Sequence, residues 1–351
     1  MTGSGVSFSH LHRLSDSTGL FEHAELTQRR LEHGYCVDDV ARGLVVTTRE
    51  PEPDDVTTAL AATYQRFLAN AQGPDGGFRN RLDAGLTWRD EPSVADCWGR
   101  ALWGLGTAAA RFPDLADEAL ELFSLGATRR SPWTRAMGFA GLGAAEVLSV
   151  HPHHDGARGL LAASAEMISP LGSSARWPSA QWRWPEDRLR YANAVLPEVL
   201  VAAGDLLAQP RWVTRGLDML EWLLDVELNG EHISVTPAHG WSLGEVRPGF
   251  DQQPIEVAAL ADACARAHDL TNDPRWADAT LRCAAWFSGS NDIGTAMIDP
   301  VSGGGHDGLE AGGRNENQGA ESTLAMLSTL QQASRLGVPT VHSGRLLHPF
   351  Q

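Results

Sequence analysis

A short pattern that occurs twice constrains the fold of this chain more than any other feature of the sequence. Each copy has the same residue types in the same order, and every residue of the second copy lies 64 positions after its counterpart. The two copies are Asp205-Leu206, Pro210-Arg211-Trp212 and Trp222, and then Asp269-Leu270, Pro274-Arg275-Trp276 and Trp286. One common offset over all matched positions indicates copies of one structural unit rather than a chance match.

Apolar spacing predicts helices along most of the chain. Long segments rich in Ala and Leu carry apolar residues at positions i, i+3 and i+4, which places an apolar stripe on one face of a helix. These segments are Val94–Phe112, Thr134–Val150, Leu189–Leu207, Val213–Val226, Ile255–Leu270 and Ala320–Leu336. We find no convincing series of alternating strand segments, so the sequence predicts an all-α fold with short hairpins in its loops.

The predicted helices form pairs, in which an Ala- and Gly-rich member precedes a more amphipathic one. The first members begin near residues 37, 94, 133, 189, 253 and 317. Six such hairpins predict a closed ring of inner and outer helices, an (α/α)6 toroid that forms a single domain over residues 1–351. Small residues suit the crowded inner ring, and they include Gly104, Gly106, Gly138, Gly141 and Gly143. An open superhelical solenoid is the competing prediction, but long Gly- and Trp-rich loops favour a ring.

The charge of the chain argues against two classes of partner. There are 28 basic residues, all of them Arg, against 44 acidic residues, and the formal net charge is -16. We therefore expect no nucleic acid and no membrane partner, because phosphate groups attract positive surfaces. No signal peptide is apparent at the first residues. The cysteines lack metal-finger spacing, which predicts reduced thiols and a cytoplasmic protein; they are Cys36, Cys97, Cys264 and Cys283.

Tryptophan is unusually abundant, with 12 Trp against 3 Tyr. A rigid indole face can stack on the apolar face of a sugar or another flat ligand. For any single Trp, ordinary packing between helices is the favoured explanation.

In a toroid the starts of the inner helices converge at one mouth, so polar and aromatic residues near those starts are candidate ligand-binding residues. At the first three starts the candidates are His33, Tyr35, Asp38, Asp39, Trp88, Asp96, Trp98, Trp133 and Arg135. At the other three starts they are Trp184, Tyr191, Asn193, Trp241, Gln252, Gln253, Glu256, His306, Asp307, Asn317, Gln318 and Glu321.

Helix capping explains some of these residues without any ligand. Ser93 and Asp96 nearly form a capping box, and Asp39 and Arg42 can form an ion pair within one helix. Capping does not account for the many amides, carboxylates and His306 that follow a Gly-rich approach at the sixth start. Such a cluster is typical of a site that recognises several sugar hydroxyls.

Three stretches carry a resemblance to a known group of enzymes. They are residues 14–23 (LSDSTGLFEH), 32–42 (EHGYCVDDVAR) and 315–323 (NENQGAEST). With the six-hairpin pattern they resemble the six-hairpin glycosidase superfamily, and within it an actinobacterial group often labelled glycosyltransferase or glycoside hydrolase. As a stand-alone domain of this kind, the chain resembles the mycobacterial methylmannose polysaccharide hydrolases, a group of cytoplasmic endo-α-1,4-mannosidases. The resemblance implies an oligosaccharide or polysaccharide substrate and no cofactor.

The resemblance also implies a mechanism. Most hydrolases on this toroid invert the anomeric centre, so one carboxylic acid protonates the leaving oxygen and one carboxylate activates water. We expect Asp39, or its neighbour Asp38, to be the acid and Glu256 the base, with Glu321 and Glu316 as alternative bases. A helix N-terminus lowers the pKa of a carboxyl group, so an acid there has to be desolvated.

Other functions remain open from the sequence alone. A sugar 2-epimerase on the same toroid would use histidines, for which His33, His239 and His306 are candidates. A non-catalytic glycan-binding ring would need no carboxylate pair. A phosphorylase would need an anion site, which Arg135 or Arg314 could supply. A zinc site built from Cys36, Asp38, Cys97 or His306 is not demanded by any spacing, and we expect no metal.

Overall fold

The computed structural model of the protein describes residues 6–170 and 181–337. In this part of the chain twelve α-helices follow one another. They are α1 (Ser9–Leu14), α2 (Val37–Arg49), α3 (Asp55–Ala71), α4 (Asp96–Arg111), α5 (Ala116–Gly126), α6 (Thr134–Val150), α7 (Asp155–Ile168), α8 (Val195–Leu206), α9 (Pro210–Glu227), α10 (Pro254–Thr271), α11 (Pro274–Phe287) and α12 (Ala320–Arg335).

The even-numbered helices form a closed inner ring. Each contacts the next one in the order α2, α4, α6, α8, α10 and α12, and α12 contacts α2 again. The odd-numbered helices α3, α5, α7, α9 and α11 each pack outside the inner helix that precedes them, and α1 packs against α12. This closure confirms the toroid and rules out the open solenoid, in which the first and last inner helices would not meet.

The repeated sequence pattern corresponds to two equivalent outer helices. Pro210 and Pro274 occupy the first positions of α9 and α11, where a missing backbone N–H costs nothing. Trp212 and Trp276 follow in the first turns and are buried. The two copies are therefore successive hairpins of one ring, as the common offset predicted.

Most inner helices begin where the sequence predicts, but α8 begins at Val195 rather than near residue 189. The intervening residues are held in a non-helical path. Leu189 pairs its backbone with Trp241, and Ala192 has a left-handed backbone with φ of 46°. Contacts between loops thus make α8 begin later in the chain than its apolar pattern predicts.

Among the described residues, four short two-stranded sheets occur in the loops that connect the helices. They pair β1 (Ala24–Glu25) with β2 (Gln28–Arg29), β3 (Tyr35–Cys36) with β4 (Arg81–Leu82), β5 (Leu228–Asn229) with β6 (His232–Ile233), and β7 (Leu309–Glu310) with β8 (Gly313–Arg314), all antiparallel. In the second sheet Tyr35 lies opposite Leu82 and Cys36 opposite Arg81. This register holds the loop before α4 against the start of α2.

The core is apolar and the inner helices approach each other closely. Glycines line the contact between α4 and α6. A Cβ atom on Gly99, Gly106 or Gly143 would overlap a backbone carbonyl of the facing helix. No helix in residues 6–170 or 181–337 is long and apolar enough to cross a membrane.

Candidate active site

A polar cavity of about 340 Å³ opens at the N-terminal ends of α2, α10 and α12. Residues from the loops before α2, α4 and α12 also line this cavity. Its lining residues are Glu22, His23, Cys36, Asp38, Asp39, Arg42, Arg81, Arg100, Gln253, Pro254, Asp307, Gly319, Glu321 and Ser322.

Asp39, in the first turn of α2, is a buried carboxyl group in this cavity. Its side chain is 3% exposed, and Arg42 donates to it from one turn later over 2.6 Å. Burial raises the pKa of Asp39 to about 7; Arg42 opposes the rise, and the negative charges of Glu321 and Glu22 add to it. At neutral pH this group is therefore divided between its protonated and ionised forms.

Glu321, in the first turn of α12, binds the same arginine. Nη1 of Arg42 donates to Oε2 of Glu321 over 2.7 Å, while Nη2 of Arg42 holds Asp39. Burial works to raise the pKa of Glu321, but Arg42 and Arg100 outweigh it and keep this pKa below its usual range. The Glu321 side chain is 46% exposed, so an ionised carboxylate faces the solvent of the cavity beside a largely desolvated one.

Asp38 points in a different direction from its neighbour. Its carboxylate accepts hydrogen bonds from Arg100 over 2.8 Å and from the Asn80 side chain over 3.1 Å. Burial works against ionisation, but Arg100 keeps the pKa of Asp38 below its usual range. Asp38 is thus the ionised partner of Arg100, whereas Asp39 is the carboxyl group that can carry a proton near neutral pH.

Glu256, the residue expected to be the base, lies beside the cavity and does not line it. Its carboxylate is buried and accepts hydrogen bonds from the backbone N–H groups of Ala192 and Asn193 and from the Asn193 side-chain amide. Burial raises the pKa of Glu256 to about 8, and the nearby Glu227 adds to the rise. In this conformation Glu256 holds the turn in front of α8.

A chain of polar contacts connects the cavity with this turn. Arg100 lies 3.8 Å from Asp96, whose carboxylate accepts a hydrogen bond of 2.7 Å from the Tyr191 hydroxyl. Arg135 donates to the Tyr191 carbonyl over 2.7 Å and to the side chain of Asn193 over 3.3 Å. The structure therefore brings together four predicted residues from three helix starts, and Arg100 connects them with the cavity.

Two further predicted residues line the cavity. Gln253 lies at the start of α10, where its amide donates to Asp251. Asp307 accepts hydrogen bonds from the Gly319 backbone and from the Ser322 hydroxyl, so it ties the Gly-rich loop to the start of α12.

Four predicted binding residues are instead part of the interior, which corrects those predictions. Trp98 and Trp184 are fully buried, so neither has a face to offer a sugar. The Gln252 side chain bonds to Trp286 and Asp292, and the Gln318 side chain bonds to Ser302 and Asp299. The amides of Gln252 and Gln318 form hydrogen bonds with residues of the protein. The sequence pattern does not distinguish such internal hydrogen bonds from contacts with a ligand.

The remaining predicted residues lie around the mouth without lining the cavity. Tyr35 is buried and donates to Asp16, and the Asn317 side chain caps the Leu26 backbone. The half-buried Trp88 packs against Phe67, and the half-buried Trp241 packs against Trp182. Trp133, before α6, is 63% exposed.

The histidines proposed for an epimerase do not face each other across the cavity. His33 is exposed and stacks edge-on with His23, and His239 is exposed on another loop. His306 is buried, and burial lowers its pKa. Within the described ranges, His23 is the one histidine that lines the cavity.

Sequence reasoning missed several residues that line the cavity. Glu22 and His23 belong to residues 14–23, the first of the three stretches that carry the family resemblance, and they lie outside the predicted helix starts. Arg81 binds Glu22, and Arg100 lies one helical turn after Asp96. The sequence does contain a signal for Arg100, because a basic residue four positions after Asp96 lies on the same face of a helix as that carboxylate.

In the part of the chain that the structure describes, one group of potential metal ligands occurs, and it lies at the cavity. Donor atoms of Glu22, Cys36 and Asp39 lie within 4.8 Å of one another. Arg81 already binds Glu22, and Arg42 already binds Asp39. A cation would have to compete with both guanidinium groups, so these residues do not form a convincing metal site. Of the proposed zinc ligands, Cys97 donates to the Phe78 carbonyl in the core.

No protein-family model matches the sequence, and no curated protein matches it in a sequence comparison. Solved structures do match. A sugar epimerase from a ruminal bacterium has a TM-score of 0.74 at 11% identity, over 95% of this chain and 98% of that chain. A D-mannose isomerase has a TM-score of 0.70 at 9% identity, over 95% of both chains. A family 76 α-mannanase from Bacteroides thetaiotaomicron has a TM-score of 0.61 at 10% identity, over 93% of both chains. At these identities the likeness shows the fold, and the chain is an (α/α)6 toroid of the kind that these sugar-processing enzymes share.

Proposed function

We propose that this protein is a glycoside hydrolase with Asp39 as its general acid and Glu321 as its general base. The observation that carries the proposal is the arrangement of these two carboxyl groups around Arg42. One is buried and protonatable near neutral pH, the other is ionised and open to the cavity, and a single guanidinium binds both. Carboxyl groups with separated pKa values are the usual basis for dividing acid and base roles.

An inverting reaction needs the acid and the base on opposite faces of the sugar, roughly 6.5–9.5 Å apart, which leaves room for a water molecule. Asp39 and Glu321 are bound to the two ends of the Arg42 guanidinium, at Nη2 and Nη1. Asp39 would donate its proton to the glycosidic oxygen as the bond to the anomeric carbon breaks. Glu321 would take a proton from the water that attacks the opposite face of that carbon.

Glu256 is the alternative base, and one observation favours it. It lies in the first turn of α10, two residues after Pro254, which lines the cavity together with Gln253. Its carboxylate would become available only if the Ala192–Asn193 turn moved away. Because both its oxygens accept hydrogen bonds here and its pKa is raised, Glu321 suits the role of base better.

The substrate we propose is an α-1,4-linked mannose or methylmannose polysaccharide, cleaved in the cytoplasm by one domain that spans the chain. The three stretches that carry the family resemblance support this substrate, and each of them supplies residues that line the cavity. Similarity in fold to a solved α-mannanase is consistent with it. No cofactor enters the mechanism.

A sugar epimerase is the second candidate, because a sugar epimerase and a mannose isomerase are among the solved structures of similar fold. Such an enzyme needs acid and base groups at a free reducing sugar and releases no second product. The lack of a facing histidine pair among the residues that line the described cavity makes it the weaker candidate.

The test is product analysis with plain and methylated α-1,4-mannooligosaccharides, using the wild-type protein and the variants Glu321→Gln and Glu256→Gln. We expect shorter products from the wild type, released with inverted anomeric configuration, and a loss of at least about 100-fold in kcat for Glu321→Gln. Glu256→Gln should remain active but be less stable. Activity lost in Glu256→Gln and kept in Glu321→Gln would move the base to Glu256. Epimerised free mannose without cleavage would replace the hydrolase with the epimerase.

A further inference from the structure

Two exposed aromatic side chains lie at the rim of the mouth, outside the cavity. Trp133 is 63% exposed, and Tyr191 is 42% exposed. Trp133 is the most exposed tryptophan among the described residues, whose other tryptophans are buried or half-buried. Leaving a large apolar ring in water costs free energy that burial against a ligand would recover.

Arg135 connects Tyr191 with the start of α6, where Trp133 also lies. It lies two residues after Trp133, in the first turn of α6, and its guanidinium carbon is 5.7 Å from the centre of the Tyr191 ring. Arg135 also donates to the Tyr191 carbonyl over 2.7 Å. The Tyr191 hydroxyl is fixed on Asp96 at the other end. The ring of Tyr191 is therefore held in place before any ligand arrives, which reduces the entropy lost on binding.

The two aromatic rings lie further from the proposed reaction site than the length of one sugar unit. Asp39 lies at the start of α2, and Trp133 lies at the start of α6, two inner helices further around the ring. Neighbouring packed helices are about 8–10 Å apart, so the aromatic rings lie well beyond a sugar bound at Asp39. The polar chain from Asp38 through Arg100 and Asp96 to Tyr191 lines the path between them.

We infer that Trp133 and Tyr191 form a stacking subsite for a sugar ring several units away from the bond that is cleaved. The substrate class is then a neutral glycan chain that reaches from the cavity to α6, and short oligosaccharides are poor substrates. Asp38 and Asp96 share the guanidinium of Arg100, so this part of the path offers no unpaired positive charge to a phosphorylated or acidic sugar. This inference rests on the proposed hydrolase function.

Binding in an inactive protein tests the subsite separately from catalysis. With Asp39→Asn as the background, calorimetry would compare neutral α-1,4-mannooligosaccharides of two and of six to eight units. We expect Trp133→Ala to weaken binding of the long chains about tenfold and to leave the short ones unchanged. Trp133→Phe, which keeps an aromatic face, should recover most of the loss. Met167→Ala is the matched control, because Met167 is an exposed apolar side chain of the outer helix α7.

Kinetics with the active protein separates the two proposals. If the wild type cleaves long chains faster than short ones and Trp133→Ala removes that preference through KM, the subsite is supported. Equal effects of Trp133→Ala at every chain length would overturn the subsite and leave the hydrolase intact. Chain-length-dependent binding through Trp133 without any cleavage by the wild type would support the subsite and overturn the hydrolase.

Discussion

At the scale of single residues, two opposing effects act on Asp39. Its place in the first turn of α2 exposes it to the positive end of the helix dipole, which lowers the pKa of a carboxyl group. Burial acts in the other direction and raises the pKa to about 7, although the charge of Arg42 also opposes the rise. The adjacent Asp38 is ionised because it turns toward Arg100. The pKa values of Asp38 and Asp39 therefore shift in opposite directions, although the two residues are adjacent and of the same type.

The pH dependence of activity follows from these two directions. A general acid must be protonated, and the pKa of Asp39 is raised to about 7, so kcat/KM should fall as pH rises above about 7. The pKa of Glu321 is lowered, so the acidic limb should lie below the usual range of a carboxyl group. Steady-state rates from about pH 3 to 9 would measure both limbs.

Asp39→Asn and Asp38→Asn provide a matched comparison for that profile. Asp39→Asn should lower kcat by about 100-fold or more and abolish the alkaline limb. Asp38→Asn should weaken substrate binding and leave the limb near pH 7 in place, since Asp39 still carries the proton. An alkaline limb that survives in Asp39→Asn would mean that another group is the acid.

Stability should also depend on the protonation of Glu256. Its pKa is raised from 4.5 to about 8 in the folded protein, so the folded state holds a proton that the unfolded state has lost across that range. The contribution of Glu256 to stability is therefore present below pH 4.5 and is lost as pH rises through about 8. Denaturant unfolding should show a smaller loss of stability between these pH values in Glu256→Gln than in the wild type.

At the scale of elements, the contact between α4 and α6 depends on the absence of side chains. Gly106 and Gly143 face each other, and a Cβ on Gly143 would overlap the Leu102 backbone carbonyl. Backbone atoms in two packed helices cannot move aside as a flexible side chain can. Gly in a helix interior ordinarily lowers stability relative to Ala, so these glycines are kept for close packing.

Gly143→Ala should destabilise the protein by about 2 kcal/mol or more, because the two helices would have to separate. Gly159→Ala is the control. Gly159 lies on the outer helix α7, where a Cβ would make only an ordinary contact with Arg130, and this substitution should stabilise by about 0.5–1 kcal/mol. Urea unfolding of both variants measures the difference, and equal effects would contradict the packing argument.

At the scale of the whole molecule, a network of buried charges supports the ring at the end opposite the mouth. Arg49 of α2 pairs with Asp262 of α10 over 2.9 Å, and both side chains are largely buried. Asp262 also accepts hydrogen bonds from Ser328 and Gln332 of α12. One carboxylate thus joins three inner helices, including the pair that closes the ring.

Asp262→Ala should destabilise the protein by about 3–5 kcal/mol, since it leaves the Arg49 guanidinium buried without its partner. Asp269→Ala provides the comparison, because Asp269 pairs with Arg335 at an exposed position and should cost less than about 1 kcal/mol. Thermal and urea unfolding would measure both. A cost for Asp262→Ala as small as that for Asp269→Ala would show that the network does not support closure.

Particular residues show how much of the candidate site was predictable. The spacing and composition around Asp38, Asp39 and Glu321 indicated a mouth rich in carboxylates, because their helix starts are visible in the sequence. The pairing through Arg42 was considered only within α2, since its contact with Glu321 joins residues 279 positions apart. Trp98 and Trp184 were misassigned because a buried Trp and a stacking Trp have the same local sequence signal.

The class of fold can be predicted from the amino-acid sequence, because apolar periodicity and the repeated hairpin are local properties. The types of side chain that gather at the helix starts can be predicted in the same way. The meeting of α12 with α2, the contact of Glu256 with Ala192 and Asn193, and the desolvation of Asp39 beside Arg42 depend on the three-dimensional structure. These outcomes depend on distances between residues far apart in the chain, and burial and charge pairing act through such distances.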